Sequence, residues 1–379
     1  MRVEVESELL RWARERSRQT TINLARRFPK LELWERGDAN PTLKQLESFA
    51  KATHVPVGYL FLREPPVETI PIPDFRTIGN EYLEHPSPDL LETIYICQQR
   101  QEWYRNFARS TGEEKLSFIG SADLTSDIVA TAADIRHSLS FNIEERRQLP
   151  TWTEALRRFI EQTDDFGVMV MVNGVVGSNN RRKLDPEEFR GLVLSDDLAP
   201  LVFVNGADTK AGQMFTLAHE LAHLWLGESG ISDIGPVSYP SHKVEIWCNQ
   251  VAAELLVPLS AIREEYRKNN QLGNEVSRLA RRFKVSTLVI LRRIHDLGGL
   301  SREELWDAYD EELKWLHAIS RGSGGNFYLT QAARVSKRFA RALVISTLEG
   351  QTLHRDAYHL LGFSKLATFH ELGHSLGVL

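Results

Sequence analysis

The chain has 379 residues, 42% hydrophobic and 26% charged, which is the make-up of an ordinary soluble globular protein and too long for a single core. With 46 basic against 51 acidic side chains the net charge is −5, so no global field draws it to nucleic acid or membrane and any DNA contact has to be local. Cys97 and Cys248 form no disulfide framework, the opening stretch MRVEVESELLRWARERSRQT lacks the apolar core of a signal peptide, and no run approaches ~18 apolar residues. A cytoplasmic protein without a membrane span is therefore expected.

Residues 1–66 read as short helices. Val5, Leu9, Leu10, Trp12 and Ala13 make one helical stripe, Asn23 to Phe28 a second helix, and Leu43, Leu46, Phe49 and Ala50 a third after the turn GDANPT. Through LARRF and WERGDANPTLKQLESFAKATHVPVGYLFL this region resembles an Xre-like helix-turn-helix domain, which lays the second helix of its pair in the DNA major groove. The stretch between Ala25 and Trp34 is short of that pattern by about one helical turn, however. Pro29 also stands where the reading helix should open, so only a stub can follow before Gly37. Arg26, Arg27 and Lys30 are the candidate phosphate contacts. Protein docking or dimerisation is the competing use of the domain, and solvated surface the plain reading of the three cations.

The proline-rich run REPPVETIPIPDFRT is expected to be extended, opening a connector over 67–125 that continues into the helical PDLLETIYICQQRQEWYRNFARST. Trp103, Tyr104 and Phe107 on that helix read as core, not as a base-stacking platform. Two more helices, DIVATAADIRHSL and TWTEALRRFIEQT, precede a change of period. FGVMVMVNGVVG, FRGLVLSDD and APLVFVNGAD are short, rich in β-branched residues and separated by turn residues, which predicts a small sheet. GVVGSNNRRKLDPEEF reads as a hairpin turn and loop, with Asn179, Asn180, Arg181 and Arg182 at the surface and no phosphate-binding pattern.

The sheet leads into FTLAHELAHLWLG. Residues four apart on a helix share a face, so His219 and His223 can offer one nitrogen each to the same ion. Glu220 is then turned toward a water that such an ion activates, where it can act as general base. The metzincin continuation is absent, because Leu226 and Ser229 stand at its fixed positions. The next helix, KVEIWCNQVAAELLVP, offers Glu245 as third ligand, 22 residues past His223, with Asn249 one turn on to hold a ligand histidine in its tautomer. Glu228, His242 and Glu254 are rivals for that place. Zn2+ suits the donor set, with Mn2+ or another divalent ion open. His242 or Tyr239 are candidate oxyanion donors. The strand Leu201 to Asn205 is expected at the sheet edge, where it would pair with an extended substrate. Cys248, one residue before Asn249, reads as a small buried thiol.

The two helices FTLAHELAHLWLG and VEIWCNQVAAELLVP resemble those of the ImmA/IrrE family of metallo-endopeptidases, over roughly residues 150–300. The resemblance implies that His219, His223 and Glu245 hold the metal and that Glu220 is the base. It also implies a protein substrate, namely a helix-turn-helix repressor or antitoxin-like partner cleaved in a stress or mobile-element response. The rival reading is a DNA-binding transcriptional regulator or toxin–antitoxin component whose peptidase-like module binds a partner with little or no turnover.

Past Pro258 the chain is helical, with one Gly-rich break at SRGSGGNF. Residues 276–295 have helix-turn-helix spacing and are locally basic through Arg281, Arg282, Lys284, Arg292 and Arg293, a second candidate for DNA or simply a structural hairpin. A second H-E-x-x-H string, His370 to His374, has only five residues after it to supply a further ligand. Thr368 and Glu371 stand in capping-box relation there, with Leu372 and Leu376 on the buried side, so a capped terminal helix is expected and not a second metal site. The expected fold is α+β, mostly α. A minimal zincin-like peptidase core with a small sheet at 126–260 is flanked by the helix-turn-helix-like domain at 1–66, the connector at 67–125 and a helical region at 261–379.

Overall fold

The computed structural model describes residues 2–76, 86–232, 242–318 and 334–379. It is mostly helical with a small mixed sheet, as the periodicities predict. The chain separates into two compact units, Met1–Pro71 with Gly79–Ile94, and Ile72–Ile78 with Tyr95–Leu379. No described helix is long and apolar enough to cross a membrane.

In the first unit, α1 (Ser7–Arg16), α2 (Thr21–Ala25), α3 (Leu31–Arg36) and α4 (Leu43–Thr53) enclose Leu9, Leu10, Leu24, Phe28, Trp34, Leu46 and Phe49, with the Phe28 ring edge-on to Phe49 at 5.5 Å. The second helix starts and stops earlier than its apolar spacing predicts. The Thr20 hydroxyl accepts from Asn23 N and caps it, and after Ala25 a turn carries Phe28 back into the core. α3 has six residues and ends at Gly37, left-handed at φ 80°, so it spans only about 9 Å. Arg26, Arg27 and Lys30 are all exposed around the α2–α3 turn, with the Arg27 guanidinium 5.4 Å from the Phe28 ring centre.

α5 (Pro88–Thr111) is followed by α6 (Ile128–Ser138), α7 (Ile143–Gln148) and α8 (Trp152–Phe166). On α5 Tyr104 is buried as expected, while Trp103 and Phe107 are only half-buried and stack on each other at 5.5 Å. Among the described residues six strands follow: β1 (Met169–Asn173), β2 (Val175–Val176), β3 (Asn179–Lys183), β4 (Gly191–Leu194), β5 (Leu201–Asn205) and β6 (Gly230–Ser232). β2 and β3 form a separate hairpin that leaves Asn179, Asn180 and Arg181 exposed. The main sheet has the order β1-β5-β4-β6.

This order overturns the expectation that Leu201 to Asn205 lies at the sheet edge. β5 is an inner strand, parallel to β1 through pairs such as Met171↔Phe203 and antiparallel to β4 through Leu192↔Phe203. All five of its residues are buried, so both of its backbone edges need hydrogen-bonding partners inside the protein. The edge beside β4 belongs to β6 instead.

The remaining helices are α9 (Lys210–Leu226), α10 (Lys243–Leu256), α11 (Leu259–Glu265), α12 (Leu272–Phe283), α13 (Thr287–Asp296), α14 (Arg302–Ala318), α15 (Lys337–Leu348), α16 (His354–Leu361) and α17 (Leu366–Ser375). α12 and α13 form the expected hairpin, turning at left-handed Lys284 and capped by Ser286. Much of its basic charge is paired internally: Arg282 with Glu265 at 3.0 Å, Arg292 with Asp296 at 3.3 Å, and buried Arg293 with Glu254 and Asp296. Arg293 Nε also donates to Val257 O at the end of α10, at 2.8 Å, which ties the hairpin to that helix.

α15 is tied to α8 through Asp164, whose carboxylate accepts from Ser336 Oγ and, at 2.7 Å, from Arg338 N. Burial pushes Asp164 up to about 6 although these bonds pull the other way. A carboxyl that binds its proton more tightly folded than unfolded favours folding at low pH, and that advantage is lost as pH rises from 3.8 through about 6. Asp164→Asn is expected to flatten this stretch of the pH–stability curve. Urea unfolding of both proteins across that window tests it, and parallel curves would refute the assignment.

The capping box expected at Thr368 is not formed. Phe369 N donates to Lys365 O at 3.2 Å, so α17 already begins at Leu366 with Lys365 as its cap, and no side chain caps it. Burial of Phe369 requires the helix to start a turn early, which puts Thr368 inside it. Leu372 and Leu376 face inward as expected, while His370, Glu371 and His374 are exposed.

Candidate metal centre

The site is built on α9 and α10. Thr209 caps α9 by accepting from Gly212 N at 3.0 Å, and Gly227 ends it in the left-handed conformation at φ 75°. The turn from β5 is held by Asn205 Oδ1, which accepts from Ala207 N at 3.0 Å, and by the Arg190–Asp208 pair at 2.7 Å. Met214, Leu217, Ala218, Leu221, Ala222, Leu224 and Trp225 are wholly buried, so α9 is a core helix. Trp225 Nε1 donates to Asp134 on α6 at 2.9 Å, and Trp247 Nε1 on α10 to Ser126 O at 3.2 Å. α10 packs directly on α9, and small buried residues on both, Ala218 and Ala222 on one and Cys248 and Ala252 on the other, permit close approach.

Three side chains converge inside this helix pair. His223 Nε2 lies 3.0 Å from His219 Nε2 and 3.0 Å from Glu245 Oε1, and His219 Nε2 lies 3.2 Å from Glu245 Oε2. His219 and His223 are fully buried and Glu245 is 3% exposed. Asn249, one turn beyond Glu245, places Oδ1 3.0 Å from His219 Nδ1. The amide oxygen can only accept, so Nδ1 carries the proton and the Nε2 lone pair faces inward.

These residues fit a divalent metal. Two imidazole nitrogens that face each other in an apolar interior need a cation or a proton between them, and Glu245 supplies the balancing charge. Bonds of 2.0–2.2 Å in a tetrahedral site put ligand atoms about 3.3 Å apart, close to the separations seen here. Among the described residues this is the one His/Cys/Asp/Glu group of three or more whose donor atoms converge, all within 4.8 Å.

The electrostatics agree with that reading. Burial lowers His219, but the charge of Glu245 and its hydrogen bond outweigh it and the net shift is upward. At His223 burial prevails and the shift is downward. Burial raises Glu245, yet the two histidines overcome it and hold the carboxyl down at about 2. It is thus a carboxylate at any physiological pH, as a metal ligand must be.

Glu220, next to His219, is also fully buried; neither of its carboxylate oxygens is in good hydrogen-bonding geometry with a described residue, although the buried Ser232 hydroxyl is near enough to lower its proton affinity slightly. Burial, with the neighbouring Glu245, pushes it up to about 8. Gly191 at the start of β4 makes room for it, since a Cβ there would come within 2.4 Å of Glu220 Oε1. Sequence reading passes over Gly191; a glycine opening an otherwise apolar strand is the signal that marks a close approach.

The other ligand candidates lie outside the converging set: Glu228 is exposed, Glu254 is paired with Arg293, and His242, at the N-terminus of α10, has its ring 5.9 Å from that of Phe75, which in turn lies 5.5 Å from His223. Tyr239 lies outside the described residues. Burial pushes the Cys248 thiol well above its usual range, so it stays protonated and inert. His370 and His374 lie on an exposed face, and His374 Nδ1 is 3.0 Å from Leu379 O.

This is the two-helix, three-ligand arrangement of a metallopeptidase-like module. Residues 163–295, from the end of α8 into α13, match a peptidase family model described as the IrrE N-terminal-like domain, which implies a divalent metal. Residues 335–375 match a family described as a domain of unknown function. No curated protein matches the chain.

Proposed function

We propose that the protein is a metal-dependent endopeptidase of zinc type that cleaves a partner protein, a helix-turn-helix repressor or an antitoxin-like protein. The observation that carries the reading is the buried convergence of His219, His223 and Glu245 beside the carboxylate of Glu220. When bound, a divalent ion supplies Lewis-acid polarisation of the scissile carbonyl and lowers the pKa of water. The chain does the rest. Asn249 fixes the His219 tautomer, Glu245 keeps the ligand set anionic, and Glu220 takes a proton from the attacking water and returns it to the leaving amine. Burial raises the proton affinity of Glu220, and a cation held by His219, His223 and Glu245 would lower it again toward the range in which a carboxylate accepts a proton.

The class of substrate follows from the resemblance to the ImmA/IrrE peptidases and from the helical first unit, which offers a surface for a partner of related build. The rival use, DNA binding through residues 1–66 or 276–295, has Arg26, Arg27 and Lys30 in its favour as an exposed basic cluster. Incubation with helix-turn-helix proteins encoded beside this chain separates the two. Discrete cleavage that a chelator stops and Arg26→Ala/Arg27→Ala leaves intact is expected. A biological effect that survives Glu220→Gln and is lost with Arg26→Ala/Arg27→Ala would refute the peptidase reading.

A further inference from the structure

The outer side of β6 is already paired. Ile231 N donates to Pro73 O and Phe75 N donates to Ile231 O, both at 3.0 Å, so the end of the proline-rich run adds to the sheet as a parallel neighbour of Ile231. At the same point the Phe75 ring stacks on the imidazole of His223, with centroids 5.5 Å apart and planes 20° from parallel, and meets His242 edge-on at 5.9 Å. The position facing the ring is Gly230, where a Cβ would come within 2.4 Å of ring carbons. Within the segment, Arg76 is paired with Asp74 and buried. Its side chain is 0% exposed, bound to Asp74 at 2.8 and 2.9 Å, and its second terminal nitrogen is buried without a partner among the described residues.

Backbone pairing to a free sheet edge, with side chains set into the surface beside it, is how an extended peptide is recognised. We infer that Pro73–Arg76 is an internal occupant of the peptide-binding edge of the peptidase module, and that it must leave β6 before a protein substrate can add there. The inference rests on the peptidase reading for the nature of the displaced ligand. It also names a specificity: the place beside His223 and Gly230 accepts an aromatic side chain from an extended segment. Because the occupant is part of the same chain it competes at an effective concentration of roughly millimolar, so a free segment of equal fit is largely excluded.

The test uses the full chain in a Glu220→Gln background, which needs no turnover. The probe is a fluorescent peptide of residues 70–77, IPIPDFRT, with hydrogen exchange at the Ile231 amide as a second readout. Phe75→Ala removes the ring, and Phe75→Pro removes both the ring and the donated hydrogen bond. Both are expected to bind the peptide at least tenfold tighter than the parent, with Ile231 exchanging faster until peptide is added. Gly230→Ala expels the ring from the opposite side, so it is expected to free the Ile231 amide without gaining peptide affinity. Unchanged Ile231 protection in all three folded variants, with peptide affinities within twofold of the parent, would overturn the proposal. With Glu220 restored, release of the amide and gain of peptide affinity without any cleavage of neighbouring repressors would leave the occupant standing and overturn the peptidase reading. Cleavage at one rate in all variants would do the reverse.

Discussion

Replacing Glu220 with glutamine is expected to lower peptide-bond hydrolysis by about 10²–10⁴-fold, the usual contribution of a positioned general base, while leaving the metal bound. The two readouts separate because Glu220 is not among the three converging donors. The substitution keeps the shape that Gly191 accommodates and exchanges a buried carboxyl pushed up to about 8 for a neutral amide. The folded protein is therefore not expected to be weakened, and the loss falls on kcat and kcat/KM together, as for a group that acts only in the transition state. Steady-state kinetics beside metal content checks this. A variant that cleaves as fast as the parent would remove Glu220 from the chemistry.

Glu245→Ala has the opposite signature: it is expected to abolish metal binding and to destabilise the protein even after the metal has been stripped. In the metal-free protein Glu245 is the anionic partner of two fully buried imidazoles, at 3.0 and 3.2 Å. Removal of one partner from a buried charged cluster costs about 3–5 kcal/mol. Its carboxyl is held at about 2 in the folded chain, well below its ordinary 4.5. Its contribution is therefore present in full above pH 4.5 and lost as pH falls through about 2. Thermal unfolding of chelator-treated proteins is expected to show a wide gap between parent and variant at neutral pH that closes on acidification. A gap that is independent of pH would assign the loss to packing alone.

Much of this centre is legible in the chain because helices are periodic. The four-residue spacing of His219 and His223, and the same spacing of Glu245 and Asn249, are enough to place each pair on one face of its helix. The predominance of apolar residues around them marks both helices as core, which is what distinguishes them from HELGH near the C-terminus. In α17 the same letters lie on a helix whose histidines are exposed. Strand order is harder to read. LVFVN is recognisably a buried strand, but burial on both faces says nothing about which neighbours pair with it, and β5 proves to be internal. Phe75 and Gly191 are equally hidden, since each acts through a partner far away in sequence: His223 and Gly230 for one, Glu220 for the other. A glycine in a strand signals that something approaches closely without naming the partner, and a proline-rich run announces an extended chain without saying what it lies against.

Metal analysis of the purified full chain tests the central claim most directly. The parent and His370→Ala are expected to carry one divalent ion per chain, and Glu245→Ala and His219→Ala almost none. An ion that persists in His219→Ala, or that disappears with His370→Ala, would contradict the assignment of His219, His223 and Glu245 as the metal centre.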